Sequence, residues 1–102
     1  MRVSKETAVL LKDAGYDVPC NLVPNSCIVD DSGNILYLPT IHEAAGWLRG
    51  KGVHVGVDWD GVHWFWYIKV LDNSDSIVGG EFDTHDIAYE AGIVHGLKYI
   101  IH

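Results

Sequence analysis

Apolar positions recur along this chain with two different periods. Behind Ser4, the residues Thr7, Leu10, Leu11 and Ala14 fall three and four apart, and behind Thr40 so do Ile41, Ala44, Ala45 and Leu48, with Trp47 widening the stripe. That spacing lines one face of an α-helix. Ser4 is suited to cap the first helix and Gly15 to stop it. Thr40-Ile41-His42-Glu43 matches the reciprocal capping box of hydroxyl and carboxylate, and Gly50-Lys51-Gly52 ends the second helix. Between them the helical period vanishes. Pro19, Pro24 and the cluster Asp30-Asp31-Ser32-Gly33-Asn34 punctuate the segment, and Cys27-Ile28-Val29 and Ile35-Leu36-Tyr37-Leu38 flank that cluster as a short hairpin.

From Val53 the period drops to two, the spacing of a strand. Asp60-Gly61 reads as the two-residue turn of a type I′ hairpin. It would pair Trp59 with Val62, Asp58 with His63, Val57 with Trp64, Val55 with Trp66 and Val53 with Ile68. One face then carries Val53, Val55, Val57, Trp64, Trp66, Ile68 and Val70, an apolar surface for helices to cover. The other carries His54, Gly56, Asp58, His63, Phe65, Tyr67 and Lys69, an aromatic surface edged with polar groups. Ser76 to Phe82 reads as a third antiparallel strand, in which Gly79 and Gly80 leave room for a neighbouring tryptophan or tyrosine or mark a bulge. Asp83 is placed to cap a last helix over about Thr84 to Ile101, whose Ala88, Gly92 and Gly96 form a smooth ridge for close seating on the sheet. The pattern predicts one α+β domain over residues 1–102, in the order α-ββ-α-βββ-α. An N-terminal helix and hairpin (1–38) precede a helix, a three-stranded antiparallel meander and a C-terminal helix (39–102), with helices on one face.

The run Trp64-Phe65-Trp66-Tyr67 sharpens this picture, because consecutive strand residues point to opposite faces. A two-layer domain covers only one of them. The second aromatic face therefore lies under the Tyr16 to Leu38 segment, meets a second subunit, or takes a ligand.

Composition narrows the partners. The 102 residues are 48% hydrophobic and 21% charged, a globular balance. Fourteen acidic against seven basic residues give a net charge of −7, a field that repels phosphate polyanions and anionic membranes, and the few cations are scattered. No apolar run is long enough to span a bilayer, and Met1 to Glu6 lacks a signal-peptide core, which leads us to expect a soluble, cytoplasmic protein. Two cysteines, Cys20 and Cys27, are expected as reduced, structural thiols in that setting.

Candidate chemistry is sparse. Asp58 and His63, expected opposite each other with His54 nearby, are the best nucleus for a metal or hydrolytic site. The close spacings that force three or four ligands together are missing, and a cross-strand ion pair explains them as well. Asp86 beside His85 complements a helix N-terminus, and Glu43 is accounted for by capping. No nucleophile elbow or Walker-type phosphate loop is present. No catalytic residue, metal ligand or cofactor is assigned.

From the second helix onward, the order helix, strand, strand, strand, helix resembles the double-stranded RNA-binding domain, and Gly61-Val62-His63 is similar to that family's Gly-Pro-x-His loop. That family grips phosphate with lysines opening its last helix, where this chain has Asp83-Thr84-His85-Asp86. The resemblance thus implies shared architecture rather than RNA binding. Over most of its length the chain also resembles short proteins of unassigned function from Bacteroides-type gut bacteria and their phages or mobile elements. The shared features are Val3-Ser4-Lys5-Glu6-Thr7-Ala8, Leu10-Leu11-Lys12, Pro19-Cys20, Pro39-Thr40, Ala44-Ala45, Trp47-Leu48-Arg49, Phe82-Asp83-Thr84, Glu90-Ala91-Gly92 and Leu97. This resemblance implies an accessory protein and transfers no catalytic residue.

The expectation from sequence is a small non-enzymatic interaction protein, self-associating or meeting a protein partner through His54, Asp58, His63, Phe65 and Tyr67. Two alternatives stand beside it: a nucleic-acid-linked accessory or DNA mimic, and a small metal-binding or hydrolytic protein using Asp58 and His63.

Overall fold

The computed structural model describes residues 2–16, 27–29, 31–33, 35–70 and 76–101. Its elements are α1 (Lys5–Asp13), β1 (Cys27–Val29), β2 (Ile35–Tyr37), α2 (Ile41–Gly50), β3 (Val53–Trp59), β4 (Trp64–Val70), β5 (Ser76–Phe82) and α3 (His85–Ile101). The order is α-ββ-α-βββ-α, an α+β fold with two antiparallel sheets, β1-β2 and β3-β4-β5. Expectations on Cys20, Pro19 and Pro24 fall outside the described residues.

Both helix starts follow from local chemistry. The Thr40 hydroxyl accepts from the Glu43 amide at 3.1 Å while the Glu43 carboxylate accepts from the Thr40 amide at 3.4 Å, so two otherwise orphaned donors are satisfied at once. Ser4 caps α1 by accepting from the Thr7 amide at 3.3 Å. Here the third helical position is threonine, and the carboxylate comes from far along the chain. Glu90 of α3 accepts from the Ser4 amide at 2.5 Å and from the buried Thr7 hydroxyl at 3.0 Å, binding the two helices together. At the start of α3 the cap is Thr84 rather than Asp83: its hydroxyl accepts from the Ile87 amide at 3.2 Å.

The core forms between β3 and β4 on one side and α2 and α3 on the other. Leu48, Val55, Ile68, Ile93 and Leu97 are fully buried there, each contributing about 1.5–3 kcal/mol by leaving water. Close approach of α3 depends on its small residues. A Cβ at Gly92 would sit 2.8 Å from Trp66 Cβ and 2.9 Å from Val55 Cγ1, and Ala88 is wholly buried. The ridge thus seats the helix on the sheet. α1 packs on α3, and the β1-β2 hairpin packs against α1, with Leu36 in the same core.

Cys27 is held in a disulfide, which corrects the expectation of reduced thiols. That expectation rested on the inferred compartment, and a disulfide is the form favoured in oxidising surroundings, so the thiol chemistry lends no support to a cytoplasmic location. Among the described residues, no helix is long and apolar enough to cross a membrane.

Candidate functional site

The pairing of β3 with β4 differs from the sequence expectation by two residues. Trp59 pairs with Trp64, Asp58 with Phe65, Val57 with Trp66, Gly56 with Tyr67, Val55 with Ile68, His54 with Lys69 and Val53 with Val70. The cause is the Asp60 side chain. Its Oδ1 accepts from the amides of Val62 at 2.8 Å and His63 at 2.7 Å, and the Asp60 amide donates to the His63 carbonyl at 3.1 Å. These bonds close a four-residue loop in place of the two-residue turn, and those from the His63 and Val62 amides hold the Asp60 carboxyl below the usual carboxylate range. His63 therefore lies in the loop and not opposite Asp58, which undoes the expected pair. Among the described residues, no group of three or more histidine, cysteine or acidic side chains is arranged to hold a metal ion.

A shift of two leaves every paired side chain of β3 and β4 on its expected face, His63 in the loop being the exception. Val53, Val55, Trp66 and Ile68 are buried beneath the helices, whereas His54, Phe65 and Tyr67 are half-buried on the opposite face. The described part of the Tyr16 to Leu38 segment lies elsewhere: Tyr16 packs on Tyr37 and Trp47, with ring centroids 6.2 and 5.4 Å apart, beside α2.

Strand β5 completes this open face. Tyr67 pairs with Val78 and Lys69 with Ser76, but a bulge sets Gly80 and Glu81 together opposite Phe65. Because Phe82 pairs with Trp64 on the helix side, alternation puts Glu81 on the Phe65 side. Gly79 lies under the Trp66 indole on the helix face, so both roles expected of the glycine pair are realised.

The result is three rows across three strands. His54, Lys69 and Ser76 form one end, Gly56, Tyr67 and Val78 the middle, and Asp58, Phe65 and Glu81 the other end. In the middle row the Tyr67 ring lies across the β3 backbone, where a Cβ at Gly56 would be 2.2 Å from its Cζ. This flattens the surface, and Val78 beside it is 63% exposed. At the basic end, Arg49 Nε donates to His54 Nδ1 at 3.3 Å, and the His54 ring stands 6.0 Å from that of Tyr67. Partial burial, reinforced by the cations of Arg49 and Lys69, pushes the His54 pKa down. At the acidic end, Asp58 Oδ1 accepts from the Trp59 amide at 2.8 Å. Among the described residues, the ion pairs are Lys5 with Asp31 and His85 with Asp86, so Lys69, Asp58 and Glu81 are exposed charges outside any ion pair.

Sequence reasoning missed Val78, Ser76 and Glu81 as members of this face, because the bulge that aligns β5 leaves only the glycine pair as its signal. It also missed an aromatic series built from four elements. Trp59 meets Trp64 (5.2 Å), Trp64 meets His85 (5.2 Å), His85 meets Tyr89 (5.7 Å) and Tyr89 meets His42 (5.8 Å). These rings tie the starts of α2 and α3 to the strand ends on the helix side of the sheet. A shallow depression of about 430 Å³ beside α1, lined by Lys5, Glu6, Val9, Leu10 and Asp31, is edged by the Lys5–Asp31 ion pair.

No protein-family model matches the chain, nor does any curated protein or solved structure.

Proposed function

We propose that this protein is a small non-enzymatic interaction domain whose working surface is the open sheet face centred on Phe65 and Tyr67, used to meet a protein partner. The observation that carries this reading is the pairing of Tyr67 with exposed Val78 on a face flattened at Gly56 and turned away from α2 and α3. Aromatic and aliphatic surface presented together, rimmed by charge, is the composition of a protein-binding patch. The net charge of −7 favours a protein over nucleic acid or an anionic membrane.

A Phe65→Asp, Tyr67→Asp double variant tests the reading, using circular dichroism and thermal melting at low protein concentration. The variant is expected to stay folded, with Tm lowered by no more than about 4–8 °C, the equivalent of ~1 kcal/mol in a domain of this size. Collapse of the fold would place both rings in the core and overturn the proposal.

A further inference from the structure

We infer that the occupant of this face is a second copy of the chain, seated face to face across a two-fold axis with its strands antiparallel to those of the first. The inference rests on reading the face as an interaction surface. It comes from the distribution of charge along the strands. One end carries the cations Lys69 and Arg49, the latter bonded to His54, and the other carries Asp58 and Glu81, with the apolar Tyr67 row between. Rows lie two residues apart, so the two charged ends are separated by about 14 Å.

A two-fold interface must be complementary to itself, each residue i meeting j while j meets i. With the axis across the strands, this face satisfies the condition. Row one of each copy lies over row three of the other, to within the ~30° at which sheets pack. Lys69 then lies over the Phe65 ring of the second copy, between its Asp58 and Glu81. His54 meets Asp58 of the second copy, and the two Tyr67 rows meet at the axis. Parallel strands would set Lys69 against Lys69 and Glu81 near Asp58, repulsive at both ends, so the same charges that favour one arrangement oppose the other.

The area sets the strength. Three seven-residue strands span about 24 by 14 Å, or roughly 340 Å², well under the ~800 Å² per partner of a standard interface. The dimer is accordingly weak, with a Kd in the micromolar range or above.

Sedimentation equilibrium over about two decades of concentration around that range tests this, on wild type, Lys69→Glu, the pair Asp58→Lys with Glu81→Lys, and an equimolar mixture of the two variants. Circular dichroism verifies that each is folded. Wild type is expected to dimerise, less so at high salt. Each variant alone is expected to dimerise at least tenfold more weakly, since like charges now meet at both ends. The mixture is expected to recover dimers, because both ends are complementary again. A wild type that stays monomeric, variants that dimerise as well as wild type, or a mixture that stays monomeric would each overturn the inference. The folded state of Phe65→Asp, Tyr67→Asp separates the two failures: if it holds while wild type is monomeric, the face remains an interaction surface for a different protein, and if it is lost, both conclusions fall.

Discussion

Gly92 and Gly46 are both helical glycines, yet alanine at each meets different surroundings. At Gly92 the new methyl would press on Val55 Cγ1 and on Trp66 Cβ, the latter bonded directly to the sheet backbone and unable to swing aside. Overpacking of this kind costs about 1–3 kcal/mol, against a gain of about 0.5–1 kcal/mol for alanine over glycine in a helix. Nothing lies within 4 Å of a Cβ at Gly46. Chemical denaturation is therefore expected to show Gly92→Ala destabilised by about 1–2 kcal/mol and Gly46→Ala stabilised by about 0.5–1 kcal/mol. His54 carries a second residue-level prediction. Its folded pKa is depressed by partial burial and then by Arg49 and Lys69, so the native state binds protons less readily than the unfolded chain. The stability this contributes is complete above the unfolded value of about 6.5 and is lost as pH falls through the folded midpoint. In a proton NMR titration the His54 ring should titrate below 6.5, and Arg49→Ala should raise the midpoint partway, burial and Lys69 accounting for the rest.

At the scale of elements, what was legible in the sequence depended on how far apart the cooperating residues stand. The start of α2 could be read because Thr40 and Glu43 are three apart, and the meander because alternation is a local signal. The cap of α1 could not be completed from sequence, since its carboxylate is Glu90. The β3-β4 register came out two residues short, because bonds from the Asp60 side chain enlarge the loop, yet the face assignment survived because two is the period of a strand. The candidate site was thus legible on β3 and β4 and illegible on β5, where a bulge decides that Glu81 stands opposite Phe65. Glu90→Ala is expected to lower stability by about 1–3 kcal/mol, since it leaves the buried Thr7 hydroxyl and the Ser4 amide without that acceptor. Native-state hydrogen exchange should show the added opening first in the α1 amides.

Over the whole molecule, the least principal extent is 21 Å, the thickness of one sheet and one helix layer. Among the described residues no helix or strand forms a third layer on the Phe65/Tyr67 side, which is why the aromatic run could announce a face without a helix over it. The global charge of −7 would resist self-association at long range, while the local polarity of the face favours one orientation at contact. Glu90 also ties together parts of the chain made at very different times. A ribosome adding about 5–20 residues per second synthesises Ser4 roughly 4–17 s before Glu90, which lies 86 positions later. Throughout that interval the first helix lacks the carboxylate that completes its cap and the helix on which it packs. Completion of the α1 cap thus waits for the synthesis of α3, and a nascent chain stalled ahead of α3 leaves the apolar stripe of α1 without its partner helix.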